Sequence, residues 1–505
     1  MYLEENGKIW LAKSGERVYL EPSMANRHGL IAGATGTGKT VTLKVIAESF
    51  SEMGVPVFIS DVKGDVSGMM NAGAENKHIR RSIDSFPIEN FSYTAYPVRF
   101  FDVYGKKGLP VRATVSDMGP ELLARLLGLN EIQTGVLRIL FRIADEKGLL
   151  LLDLKDLRSM AQFAGENANE FKLKYGNISA QSVGAIQRAL LALEDEGGGV
   201  FFGEPMLQLA DWLDWDDEGR GMMNILESSE LFQHPLLYGT FLLWMLSELY
   251  ELLPEAGDLD RPKVAFFFDE AHLMFHDAPK ALVEKIEQVV RLIRSKGVSV
   301  WFITQNPTDL PESVLSQIAN RVQHALRAYT PNEQKALRYA ARSFRSNPDF
   351  DTERTLQELA TGEALVSVLD EKGVPGVVQK AAIMPPRSSM AAAPEGAIEE
   401  AVKRDPLYGK YFEAIDRESA YELLSAMREE AEKERAEAEE EAAKAKEEAA
   451  KAKEKEKEAK AKAAAKKTSS KKKSALSKAT SSAANTFGRE LGKSLFRGLL
   501  GVLKR

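Results

Sequence analysis

The sequence predicts an α/β protein: a mostly parallel sheet, interrupted by a mainly helical insertion and followed by a charged helical tail. Three observations predict it. The stretch Gly33-Ala34-Thr35-Gly36-Thr37-Gly38-Lys39-Thr40 lies between a short apolar run at 28–32 and a segment of helical period at 41–53. Two further apolar runs, 56–61 and 263–270, end in carboxylates, as strands buried on both faces do. Between them, from about 116 to 257, the apolar spacing turns helical.

The first stretch fits G-x-x-x-x-G-K-[ST] with no mismatch. Its glycines let the backbone curl so that successive N–H groups point inward, and the following helix adds its positive end. Strand, loop and helix form the context that separates this motif from a chance Gly-rich turn. The expected nucleotide-phosphate site is Gly33, Ala34, Thr35, Gly36, Thr37, Gly38, Lys39, Thr40 and Val41, with Lys39 on the β/γ-phosphates and the Thr40 hydroxyl on Mg²⁺.

Taken in order, residues 8–11 and 17–20 pair as a small hairpin around Ser14-Gly15. The run at 56–61 is a strand; Asp61, Lys63 and Asp65 beyond it either line the phosphate site or form an ordinary strand-to-helix loop with an Asp cap. Residues 96–104 form another strand. Helical period then covers 121–127, 131–147, 154–163, 181–196 and 235–253, with a strand-like piece at 222–226. The acidic, aromatic segment 211–217 reads as a surface turn anchored by two core tryptophans, Trp212 and Trp215, with a recognition patch as the alternative.

The run Lys263-Val264-Ala265-Phe266-Phe267-Phe268-Asp269-Glu270 delivers two adjacent carboxylates at a strand end. Asp269 is expected to hold Mg²⁺ through water, and Glu270 to polarise an attacking water as general base. His272 and His276 are spaced i,i+4, but no third ligand is marked and zinc is rejected. An amphipathic helix at 278–296 is stopped by Gly297. The run 298–307 reads as a strand ending in polar Thr304-Gln305-Asn306, where Gln305 is an amide placed to sense a γ-phosphate, the alternative being a strand-end turn before Pro307. A strand near 320–327, a helix at 331–342 and a hairpin at 362–382 complete the body, which is expected to end near Pro385-Pro386.

The domain division is 1–115 for the hairpin and first part of the core, 116–257 for the insertion and 258–386 for the second part of the core. Residues 387–467 form a connection and an Ala/Glu/Lys-rich segment, and 468–505 a basic tail. The Ala/Glu/Lys segment lacks the large apolar side chains a coiled-coil seam needs and reads as an extended charged helix or spacer. The stretch 487–505 is a basic amphipathic helix, suited to anionic lipid, a partner groove or nucleic acid, or else a packed C-terminal helix.

The 505 residues include no cysteine, which excludes disulfides and thiolate metal or redox sites. The N-terminus lacks an apolar signal core, and no uncharged apolar run is long enough to span a bilayer, so a cytoplasmic protein is expected, with peripheral contact at the inner membrane face through the tail. The net charge of −7 is uneven: residues 468–505 carry +8, leaving −15 on the remainder.

The order of Gly33-x4-Gly38-Lys39-Thr40, Ile59-Ser60-Asp61-Val62-Lys63-Gly64-Asp65, Phe268-Asp269-Glu270-Ala271-His272 and Ile303-Thr304-Gln305-Asn306-Pro307 resembles the HerA/FtsK superfamily of P-loop ATPases, most closely its bacterial YjgR-like group. The resemblance covers about 26–386. It implies a RecA-like sheet with the catalytic Glu on the strand beside the phosphate loop, ATP and Mg²⁺ as cofactors, and ring hexamers with interfacial ATP that move DNA. It also implies a neighbour's cation at each site, and Arg291, Arg294, Arg321 and Arg327 are candidates, with Arg294 and Arg321 carried forward as catalytic. Only 32 residues precede Gly33, too few for the β-barrel of HerA proteins, and the body is acidic. A membrane- or partner-tethered ATPase acting without nucleic acid is the alternative.

Overall fold

Parallel strands covered by helices on both faces read as unbroken apolar runs. The central strands here do: Val264–Phe268 and Val298–Thr304 are buried at every position. The structure, a computed structural model, describes residues 1–466 apart from 76, 87, 89, 90, 258 and 276–279. It forms two compact units, Met1–Ala420 and Tyr421–Arg505.

Thirteen strands are described: β1 (Tyr2–Leu3), β2 (Lys8–Ser14), β3 (Glu16–Leu20), β4 (Gly29–Ala32), β5 (Val57–Asp61), β6 (Val98–Asp102), β7 (Leu109–Pro110), β8 (Met223–Glu227), β9 (Val264–Phe268), β10 (Val298–Thr304), β11 (Asn320–His324), β12 (Glu363–Ser367) and β13 (Gln379–Ile383). They form one sheet in the order β1-β2-β13-β12-β11-β4-β10-β9-β5-β8-β6-β7, with β3 on β2. From β11 to β7 every pairing is parallel; from β11 to β1, and between β2 and β3, every pairing is antiparallel. Parallel order puts the carboxyl ends of β4, β10, β9 and β5 at one edge, where ligands of open α/β sheets sit.

The strand-like piece at 222–226 becomes β8, which lies between β5 and β6 inside the sheet. The helical stretch therefore returns to the core before its end rather than standing apart from it. Local signals fix these helices: Asn130 with Gln133 and Asp153 with Asp156 form capping boxes, and Gly148 closes Glu131–Lys147 in the left-handed conformation. Of the two tryptophans in 211–217, Trp212 is buried and stacks on Phe58 at 4.7 Å, whereas Trp215 is half exposed, so the turn has one apolar anchor. Trp215 instead donates its indole N–H to the Gly54 carbonyl at 2.8 Å.

The first unit runs past Pro386 to Ala420. Residues after Pro386 cross α1 (Lys39–Glu52): Arg387 pairs with Glu52 at 2.5 Å, the Ser388 hydroxyl donates to Glu48 at 2.5 Å, and Lys44 donates to the Ser389 carbonyl at 2.8 Å. The second unit holds the helix Ala420–Lys466, about 70 Å long at 1.5 Å per residue. Its surface carries i,i+4 pairs such as Glu440–Lys444 and Glu447–Lys451. The basic stretch 468–505 lies outside the described residues. Among the described residues, no helix is long and apolar enough to cross a membrane.

His28 ties the amino end of β4 to its surroundings. Its Nδ1 accepts the Val300 N–H at 3.1 Å, so Nε2 donates to the Val290 carbonyl at 2.9 Å. Burial pushes its pKa down to about 4; the Val290 carbonyl opposes this and the Arg294 charge adds to it. A ring held neutral in the fold stabilises above the unfolded pKa near 6.5, and that stability is lost as pH falls toward 4. We predict that the cost of His28→Gln, read from unfolding midpoints, is largest above pH 6.5 and shrinks by on the order of 3 kcal/mol by pH 4. A cost independent of pH would show that the ring is not held neutral.

Candidate active site

Four strand ends converge. Gly33 follows β4, Gln305 follows β10, Asp269-Glu270 follow β9, and Lys63 follows β5. The loop 33–38 is pinned by its neighbours: Gly33 N–H donates to the Thr304 carbonyl, Ala34 N–H to the Ala325 carbonyl, and the Thr37 carbonyl accepts from Gly362 N–H at 3.1 Å. Gly38 has φ 118°, which other residues rarely adopt, and a Cβ at Gly33 would stand 2.5 Å from the His324 Cβ. Among the described residues, the N–H groups of Thr35, Gly36 and Gly38 carry no hydrogen bond, so donors remain for an anion.

Lys39 is buried and donates to the carbonyls of Gly33 at 2.7 Å and Ala34 at 3.3 Å. Burial lowers its pKa, against the nearby Glu270, so an arriving phosphate would be a better partner than these carbonyls. Thr40 donates its hydroxyl to Asp65 Oδ2 at 3.2 Å. Val41 is the third residue of α1 and carries no polar side chain toward the site.

Glu270 has φ 47°, a left-handed conformation for a non-glycine residue. Its carboxylate takes the Lys63 ammonium at 2.5 Å and the Gln305 amide at 3.4 Å, with His272 Nδ1 at 3.3 Å. Burial pulls its pKa up, but the Lys63 hydrogen bond and charge more than offset this, and it lies below the usual carboxylate range. Asp269 is raised to about 6, by burial first, with Lys63 opposing and Glu270 adding. Asp61 is raised to about 7 by burial and then by Asp65, although it accepts the N–H groups of Lys63, Gly64 and Val66.

The cluster therefore holds four carboxylates, Asp61, Asp65, Asp269 and Glu270, against two ammonium groups, Lys39 and Lys63. Asp65 Oδ1 is buried with no hydrogen-bond partner among the described residues, beside the Thr40 hydroxyl. Uncompensated acid and an orphaned oxygen next to a hydroxyl fit a hard divalent cation. Among the described residues no three His, Cys, Asp or Glu side chains form a metal cage.

The structure brings Lys39, Thr40, Asp269, Glu270 and Gln305 together. Asp61, Lys63 and Asp65 lie in the same cluster, and Asp61 also caps the loop after β5 by accepting the N–H groups of Lys63, Gly64 and Val66. Beyond the sequence reading the structure adds His324, at the end of β11. The buried ring donates from Nδ1 to the Glu363 carbonyl at 3.0 Å and accepts the Thr42 hydroxyl on Nε2 at 2.8 Å, walling the loop from behind. No spacing rule marks a histidine at a strand end.

Two expectations change. The strand bearing Glu270 is not the neighbour of β4: β10 is inserted between them, so Gln305 stands between Lys39 and Glu270. Nor do Arg294 and Arg321 join this cluster within one copy. Arg294 lies by His28, at the opposite end of β4. Arg321 opposes Leu30 and donates to the carbonyls of Leu315 and Ser343. Arg327 is the candidate that reaches the site, lining a cavity of about 760 Å³ with Ala34, His272 and Gln305. His276 lies outside the described residues.

Comparison with known proteins follows the same lines. The search of curated sequences gave no match. Solved structures similar to this chain include the bacterial conjugative coupling protein TrwBdeltaN70, with 15% identity, a TM-score of 0.49, and 76% of this chain and 91% of that one covered. VirB4 of Thermoanaerobacter pseudethanolicus gives 15%, 0.48, 76% and 98%. The DNA-packaging ATPase B204 from Sulfolobus Turreted Icosahedral Virus gives 10%, 0.30, 72% and 98%. The family model described as helicase HerA-like C-terminal matches residues 7–505. The chain belongs to that family and is a P-loop NTPase of the HerA/FtsK type.

Proposed function

We propose that the protein is a Mg²⁺-dependent ATP hydrolase that works as a ring-forming motor on DNA. The observation that carries the hydrolase is the carboxylate of Glu270, kept ionised by Lys63 and flanked by the Gln305 amide, on the same sheet edge as the phosphate loop. Membership of a helicase-like family supports the DNA motor.

The loop N–H groups and Lys39 bind the β- and γ-phosphates. Lys39 leaves the carbonyls of Gly33 and Ala34 for phosphate oxygens, which restores the charge that burial disfavours. Thr40 and Asp269, with Asp65, are the residues that would hold Mg²⁺, which when bound offsets charge on the phosphates. Glu270 accepts a proton from water as the water attacks in line, and Gln305 fixes that water relative to the γ-phosphate. Lys63 has an exposed flank, and its ammonium keeps Glu270 a carboxylate until the proton is taken. An interfacial site needs a cation at the transferring phosphoryl group. Arg327 lies on the cavity wall within the copy, while Arg294 and Arg321 act only if a neighbour presents them.

Glu270→Gln should keep nucleotide binding and lose about 10²- to 10⁴-fold in phosphate release; unchanged turnover would remove the general-base assignment. Lys63→Met should move the acidic limb of the pH–rate profile to higher pH, because the ammonium that holds Glu270 ionised is gone; an unmoved limb would leave Lys63 a structural ion pair. Double-stranded DNA should stimulate turnover of the wild-type protein. Turnover indifferent to any nucleic acid would leave the tethered ATPase acting on assembly as the surviving reading.

A further inference from the structure

A second cavity, of about 540 Å³, lies away from the phosphate loop. Glu312, Leu315, Ser316, Arg321, Arg338 and Arg342 line it, with Lys335 and Tyr339 at its wall. Four of these side chains are cationic and one is acidic, on a chain whose net charge is −7.

The cations come from two rigid elements. Arg321 stands on β11 and is held by three carbonyls, those of Ile318 at 3.4 Å, Leu315 at 3.2 Å and Ser343 at 3.3 Å. Carbonyls aim the guanidinium without cancelling its charge. Lys335, Arg338 and Arg342 stand three and four residues apart on the helix Pro331–Arg342, so they share one face. The opposite face, Ala336, Leu337 and Ala340, is buried, with Leu337 and Ala340 in a core with Phe344, Leu356 and Leu365.

Among the described residues, Lys335, Arg338 and Arg342 have no carboxylate within ion-pair distance. The one acid on the helix, Glu333, is turned to its start, where it accepts the N–H groups of Tyr329 and Thr330 at 2.8 Å. Some exposed basic residues on other helices do have acidic partners at i,i+4, as in Arg354–Glu358 and Arg404–Glu400. A rigid row of unpaired cations beside a fixed guanidinium presents several donors to an anion, and arginine forks match phosphate oxygens two at a time.

From Lys335 to Arg342 the row spans about 10 Å. One strand of B-DNA carries a phosphate every ~3.4 Å of its axis, so the row covers about three. The cavity shares no lining residue with the phosphate loop: Arg321 opposes Leu30, three residues before Gly33. We infer that this cavity binds consecutive backbone phosphates of a nucleic acid, a site that deepens the DNA reading above and rests on it.

The test is binding of a fluorescently labelled DNA duplex to the full chain across a salt series, wild type against the double variant Arg338→Gln, Arg342→Gln. Circular dichroism and Tm of the variant serve as the folding control. The site requires a loss of tenfold or more in affinity near 0.1 M salt. It also requires a slope of log K against log salt that is shallower by about 1.8, two phosphate contacts at ~0.9 each. Glu312→Gln should tighten binding, because it removes the cavity's one carboxylate. Equal affinity and equal slope in a folded double variant would overturn this site while leaving the DNA motor intact. A wild-type protein that binds no duplex at all would overturn both.

Discussion

The constraint on which this molecule turns is charge buried at a sheet edge. Asp61, Asp65, Asp269 and Glu270 are carried to one place because parallel strands all end there, and each is partly or fully removed from water. Burying ionised carboxylates is costly unless hydrogen bonds or opposite charges compensate. The compensation is local and uneven. Asp61 takes three backbone N–H groups, Glu270 takes Lys63, and Asp269 faces Lys63 only as the second claimant. The surplus of acid is what makes the edge receptive to cations, and the lysine held on loop carbonyls makes it receptive to phosphate. On the proposed reading, one arrangement would serve both halves of a metal–nucleotide complex.

Inserting β10 between β4 and β9 has a direct chemical consequence. The strands that lead into the phosphate loop and into Asp269-Glu270 are two apart in the sheet, about 10 Å between axes at the usual inter-strand spacing of ~4.8 Å. Gln305 occupies the interval and reaches Glu270. Trp301 on β10, stacked on Phe267 of β9 at 6.1 Å, belongs to the apolar packing that keeps this spacing fixed.

Much of this was legible in the residues, because the chemistry sits at the junction of local patterns. A glycine-rich turn between an apolar run and a helical period needs no distant partner to be recognised, and neither does an apolar run ending in Asp-Glu. What was not legible depends on strand order. Nothing near Met223–Glu227 says that it pairs between β5 and β6, since its partners lie more than a hundred residues upstream. Lys63 remained ambiguous because its meaning is a contact with Glu270, 207 residues away. Arg294 and Arg321 lie near the right strands in the sequence, but a strand has two ends, and sequence adjacency does not say which end a side chain serves. Trp215 failed as a core anchor because its polar neighbours in the Asp216–Arg220 turn keep it at the surface, where its N–H finds a carbonyl.

The two ends of the sheet are joined by material that cannot bend independently. The helix Pro331–Arg342 begins with Glu333 on the cavity that contains Ala34 and Gln305, and finishes with Arg338 and Arg342 on the basic cavity. Its inner face is locked by Leu337 and Ala340 into a core shared with β12, and β11 runs alongside from Arg321 to His324, whose ring backs the phosphate loop. A helix of three turns in a close-packed core moves as a body rather than by flexing.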